Sequence, residues 1–257
     1  MREYRLLNNN WKFTYGDKVG ASPDEINRWQ DIGLPHSFGI PYFMEKEFYL
    51  GYGTYSKWFE LSKEDCKKRI LLKFFGAFQK AVVVLNGKQI GEHRGGYTPF
   101  LVELTGNIRP GQNHLIVCVD NLWDATLAPR GGEHQFNGGI YRDMQLILTA
   151  YDYIEEDGVF VQTTQLKKEK DLKIGTQVHA SEKSDLSEFD SMMLETCICE
   201  GKEVLARSVE PLVMGNSEIC QSISLTGITP WSPDTPKLYI VVSRVLCNGI
   251  ECDCVRT

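Results

Sequence analysis

Apolar and polar positions alternate through most of this 257-residue chain, and short continuous apolar runs are separated by Gly-, Pro- and Asn-rich turns. That pattern predicts strands rather than helices. Residues 80–100, KAVVVLNGKQIGEHRGGYTPF, read as one unit. Ala81 to Leu85 is a β-branched run suited to a buried strand. Asn86-Gly87 is a hairpin turn, because both residues tolerate positive φ. Gln89 to His93 returns as a second strand, and Gly95-Gly96 turns the chain again before Tyr97-Thr98-Pro99-Phe100. Trp11, Phe13 and Tyr15 alternate and so share a sheet face. Further strands are predicted over Tyr55–Leu61, Arg69–Phe75, Leu101–Leu104, Leu115–Val119 and Ile140–Leu148. Ser22-Pro23 resembles the start of a short helix, with Ser as N-cap and Pro at the first position. Two long irregular segments interrupt the strands, 37–53 and 120–139. Loops of that length in a compact domain are functional or packed on something.

The pattern changes near residues 149–157, TAYDYIEED, where the acids Glu155, Glu156 and Asp157 read as the polar face of a linker. Beyond it, strands recur at even spacing to the end, with hairpin tips at Glu200-Gly201-Lys202 and Cys247-Asn248-Gly249. Eight or more strands before the seam fit a jelly-roll sandwich, and seven after it fit an immunoglobulin-like sandwich. The expected organisation is all-β, with one domain over residues 1–151 and a second over 152–257.

Composition narrows the function classes. Net charge is −6 and hydrophobic residues make up 42% of the chain. No basic stripe marks a nucleic-acid binder; Lys167-Lys168-Glu169-Lys170 reads as a solvated hairpin tip. No apolar run approaches the ~18 residues of a membrane span. The N-terminus lacks the apolar core of a signal peptide, so the expected location is the cytoplasm.

Six of the eight cysteines lie after residue 190. They fall inside apolar strand patterns and read as reduced, buried, small hydrophobes. Cys197/Cys199 and Cys252/Cys254 each put two sulfurs on one strand face, so four could converge on Zn²⁺ if the strands were neighbours. Zinc ribbons, however, place ligands on tight turns, and packing in the core is the preferred reading. The five histidines lack metal-ligand spacing, no phosphate-binding or dinucleotide motif is present, and no cofactor or metal is expected.

The most site-like polar cluster is EHQFNGG, residues 133–139. Glu133, His134 and Asn137 can hydrogen-bond sugar hydroxyls, and Trp123 is close in sequence to supply an aromatic face. The same side chains could equally cap the loop.

Five motifs stand in the order found in glycoside hydrolase family 2. Trp29 with Leu34-Pro35-His36 resembles "W…LPH". Gly51 to Lys57 resembles "G.G.YRK", with Ser56 where Arg is frequent. Asn86-Gly87 through Phe100 resembles "NG…G.H.GGY.PF", Asn137 to Asp143 resembles "GGIYR.V", and Trp231 to Tyr239 resembles "WSP..P.LY". The resemblance implies a galactose-binding-like jelly roll followed by an immunoglobulin-like domain. It also implies a retaining β-glycosidase whose catalytic glutamates sit on a (β/α)₈ barrel following the second domain. The chain is therefore expected to be the non-catalytic N-terminal portion of such an enzyme, with no catalytic residue of its own and with the missing barrel as partner. Its substrate would be a β-galactoside or β-glucuronide. The resemblance further implies that Glu133 is a loop acid reaching the substrate and that a homo-oligomer is compatible with the family. Arg142 and Asp143 read as structural. A stand-alone carbohydrate-binding module and a structural interaction protein are the two other classes to be distinguished.

Overall fold

The computed structural model describes residues 2–16, 29–39, 49–127, 138–166, 169–180, 192–213 and 215–257. The helix predicted at Ser22 lies outside them. The chain divides into two compact units, Glu3–Leu148 and Met1–Arg2 with Thr149–Thr257.

The first unit holds β1 (Glu3–Leu6), β2 (Trp11–Tyr15), β3 (Gln30–Ile32), β4 (Tyr52–Leu61), β5 (Arg69–Phe74), β6 (Lys80–Leu85), β7 (Lys88–Arg94), β8 (Phe100–Glu103), β9 (Gly111–Asp120) and β10 (Met144–Thr149). They form a six-stranded sheet, ordered β3-β2-β4-β9-β6-β7, and a four-stranded sheet, ordered β1-β10-β5-β8. Alternate residues of both sheets meet in one core. Trp11, Phe13, Tyr55, Val83, Val117 and Val119 come from the larger sheet, and Ile70, Leu72, Phe74 and Leu146 from the smaller. The β6–β7 hairpin turns at Asn86 and Gly87, both at positive φ (51° and 84°). The strand expected from Ile140 begins instead at Met144. Gly139, at φ 116°, bends the chain, and the backbone of Ile140 and Asp143 bonds to neighbouring segments rather than to a ladder.

The second unit holds β11 (Tyr153–Leu166), β12 (Glu169–Ala180), β13 (Met192–Glu200), β14 (Glu203–Pro211), β15 (Gly215–Leu225), β16 (Ile240–Cys247) and β17 (Ile250–Arg256). Its sheets run β11-β12-β15 and β14-β13-β16-β17, all pairs antiparallel. This is the seven-strand immunoglobulin-like arrangement, with the fourth strand paired to the third. The acids read as a linker face lie inside β11, at an irregularity between Ile154 and Val159. Glu156 is not solvated: its side chain is 10% exposed and bonds Arg2 at 2.8 Å.

All eight cysteines are reduced thiols, four are buried and Cys220 is exposed, so burial holds for only part of the set. The two Cys-x-Cys pairs do not converge. A bulge between Val245 and Leu246 leaves Cys252 without a ladder partner in β17. It therefore turns inward beside Cys247, whereas Cys254 packs with Cys197 and Cys199.

Candidate functional site

The two long segments of the first unit are rooted side by side. His36 N–H donates to the Ile140 carbonyl at 2.8 Å, and Phe38 N–H to the Gly138 carbonyl at 2.9 Å. Phe78 and Gly139 exchange both backbone hydrogen bonds, at 3.0 and 3.2 Å. Residues 138–140 are thus gripped from two sides. A Cβ at Gly139 would lie 2.6 Å from Tyr55 Oη and 2.7 Å from the His36 carbonyl, and one at Gly138 would lie 2.7 Å from Asn121 Cβ. Only glycine lets the backbone pass here.

Tyr55 is fully buried beneath this crossing. Its hydroxyl accepts from Ile140 N–H at 3.3 Å and sits 2.9 Å from His36 Nδ1. The phenol proton is free to point at Nδ1, which fits a neutral imidazole. Burial lowers the His36 pKa to about 4 and pushes the Tyr55 hydroxyl well above its ordinary value. The imidazole packs on Phe13, centroids 4.5 Å apart.

The other stems are held by Asn121, which is 1% exposed. Its Oδ1 accepts from Gly51 N–H at 2.9 Å, and its Nδ2 donates to the Tyr49 carbonyl at 2.8 Å. Tyr15 Oη donates to the Phe38 carbonyl at 2.7 Å. The rings of Phe13, Tyr15, Phe38 and Tyr49 pack in sequence, with centroids 4.5–6.2 Å apart. The loop roots are a rigid aromatic and amide platform, the setting in which a loop side chain can be aimed.

Trp123 stands on the segment leaving β9 and is 68% exposed. Next to it Asp124 bonds Lys80 Nζ at 2.6 Å, Arg94 at 3.2 Å and the Thr126 backbone N–H at 2.8 Å. The Lys80 ammonium, followed by the Thr126 donors, holds the Asp124 carboxyl well below the usual range. Lys80 and Arg94 also line a groove of about 440 Å³ with Tyr52, Glu92, His93 and Asp120. These groups can hydrogen-bond hydroxyls. Asp124, ionised and saturated with donors, is not poised to move a proton.

Of the residues singled out from the sequence, Trp123 is described as above, while Glu133, His134 and Asn137 lie outside the described residues. Arg142 lies over the Tyr141 ring at 5.9 Å, and Asp143 Oδ1 accepts from Asn8 at 2.9 Å. Among the described residues, no group of three or more His, Cys, Asp or Glu side chains could hold a metal ion. No helix among them is long and apolar enough to cross a membrane. Asn121 and Asp124 escaped the sequence reading. For Asn121 the signal was the polar Asp120-Asn121 pair ending the apolar run Leu115–Val119, where a buried amide must have partners; Asp124 stands outside that pair.

The description "Glycosyl hydrolases family 2, sugar binding domain" matches residues 35–150. A beta-glucuronidase of Bacteroides fragilis is 29% identical over 267 residues, covering 99% of this chain and 37% of that protein. A beta-galactosidase of Thermoanaerobacter pseudethanolicus is 30% identical over 250 residues, covering 95% and 32%. Among solved structures, a Bacteroides uniformis beta-glucuronidase superimposes with TM-score 0.87 at 28% identity, covering 100% of this chain and 32% of that one. The chain spans about a third of the length of the relatives it matches.

Proposed function

We propose, from the match of residues 35–150 to the family 2 glycosyl hydrolase sugar-binding domain, that the chain serves as the non-catalytic N-terminal portion of a β-glycosidase of that family. The whole enzyme acts on β-galactosides or β-glucuronides. Both hydrolytic carboxylates lie in the part of the enzyme that this chain does not span. The role of the first unit is to present the segment after β9 to the sugar, with Trp123 offering an aromatic face and Glu133, His134 and Asn137 offering hydrogen bonds. The observation that carries this reading is the rooting of that segment. Gly138, Gly139 and Ile140 are held by backbone bonds to Phe38, Phe78 and His36 in turn, so the described end of that segment is anchored.

The test is titration of this chain with galactose, glucuronate and lactose, beside hydrolysis of aryl-β-galactoside and aryl-β-glucuronide. No hydrolysis is expected, because neither carboxylate of the catalytic pair is present, and these mono- and disaccharides are expected to bind too weakly to register, because the sugar site of the 120–139 segment is completed only by the rest of the enzyme. Turnover that disappears in Glu133→Gln would overturn the assignment of catalysis to the rest of the enzyme.

A further inference from the structure

On the outer face of the six-stranded sheet, Trp58 is an exposed aromatic side chain that the fold supports without covering. Trp58 on β4 is in register with His114 on β9. Their rings stack with centroids 4.3 Å apart and planes 7° from parallel. The imidazole Nε2 is 2.8 Å from Ser56 Oγ, and the backbone N–H of His114 donates to Asn86 Oδ1 at 3.0 Å. The indole nonetheless remains 53% exposed. A tryptophan on a solvent face normally buries its ring against neighbours. Here one neighbour holds it flat and the remainder is presented to solvent.

Beyond the buried Ser56 and Ile116, the rim of this face carries exposed hydrogen-bonding side chains. Glu60 follows Trp58 by two residues on the same face and accepts from Gln112 of β9 at 3.5 Å. On the other side Lys12, in register with Ser56, bonds Asp31 at 2.6 Å. We propose that Trp58, with Glu60, Gln112 and Lys12 around it, is a binding platform for one neutral pyranose unit of an oligosaccharide. The apolar C–H face of the ring lies on the indole, and its equatorial hydroxyls bond the carboxylate, amide and ammonium at the rim. The rim carries two carboxylates and one ammonium, so it disfavours a uronate. A second protein copy fits less well. A stable interface needs roughly 800 Å² per partner with an apolar centre, whereas the groups flanking this indole are polar or charged. The inference is independent of what the 128–137 segment does.

The experiment is affinity electrophoresis and isothermal titration of the whole chain with neutral tetraoses of β-linked glucose, xylose, mannose and galactose, a glucuronate-containing oligosaccharide serving as the comparison. Binding of at least one neutral tetraose is expected, weakened at least tenfold in Trp58→Ala and about threefold in Gln112→Ala, with both variants retaining the parent melting temperature within a few degrees. Since Trp58 points away from the core, both should fold. Absence of binding to every tetraose, equal binding by Trp58→Ala, or preference for the uronate would each overturn the proposal. So would self-association at high concentration that Trp58→Ala abolishes, since it would assign the face to a second copy.

Discussion

Arg2 is a buried ionic anchor of the second unit. Its side chain is 3% exposed and makes a fork on Asp253, with Nε to Oδ1 at 3.1 Å and Nη2 to Oδ2 at 2.8 Å. It also bonds Glu156 at 2.8 Å and the Ile154 carbonyl. Asp253 is wholly buried and also accepts from Ile154 N–H at 2.9 Å. Arg2→Met preserves much of the side-chain volume and removes the charge, leaving the buried Asp253 carboxylate without its guanidinium partner. Breaking one partner of a buried pair costs about 3–5 kcal/mol, because the other charge remains desolvated. A unit of this size moves by ~4–8 °C per kcal/mol, so a 3 kcal/mol loss lowers its melting temperature by roughly 12–24 °C. Calorimetry gives the shift, and amide exchange localises it to β11 and β17. Arg2→Lys retains the charge without the fork and should fall between. Arg2→Met combined with Asp253→Leu and Glu156→Gln should recover most of the loss, since no buried charge is stranded. A loss below about 1 kcal/mol in Arg2→Met, or no recovery in the triple variant, would refute the reasoning.

Gly139→Ala forces a Cβ against Tyr55 Oη and the His36 carbonyl at a φ of 116°, so a loss above ~2 kcal/mol is expected in urea denaturation; an unchanged midpoint would mean the crossing at 138–140 is loose. His36 has a folded pKa near 4 against an ordinary 6.5, so the unfolded state takes up its proton first. Its contribution to stability is fully present above pH 6.5 and is lost as pH falls toward 4. The melting temperature of the parent should therefore drop more steeply across that window than that of His36→Phe, and parallel curves would contradict it. In the second unit, the buried side chains of Thr176, Thr196, Gln221 and Ser243 have polar atoms without a hydrogen-bond partner among the described residues, and they separate two apolar clusters. Thr196→Val removes one such hydroxyl at nearly constant volume and should gain ~1 kcal/mol; a loss of that size in chemical denaturation would mean the hydroxyl is satisfied.

Local chemistry made much of the architecture legible. Strand periodicity put Trp11, Phe13 and Tyr15 on one sheet face, of which Trp11 and Phe13 lie in the first core and Tyr15 is 40% exposed; Asn-Gly pairs at 86–87 and 248–249 fixed hairpin registers, because positive φ at two successive residues is a local requirement. Motif order was also local information, and it led to the family. The residues that anchor the candidate site were harder to read. His36 looked like one member of a motif, yet its role is to accept from a tyrosine 19 residues away and to brace a backbone crossing more than 100 residues away.

What the sequence by itself determined is the alternation that makes strands, the turns that pair them and the glycines that mark close backbone passage, all encoded within a few residues. What only the tertiary structure decided is which polar groups lose their water. Arg2 and Asp253 are 251 positions apart, and neither looks unusual in its own window. Glu156 reads as one of three solvated acids until a guanidinium is brought against it. Cys252 and Cys254 share a face in any ideal strand, and a single bulge sends them to different clusters. Burial, ion pairing and phase along a bulged strand depend on neighbours supplied by distant segments, so they become defined only when the sheets close.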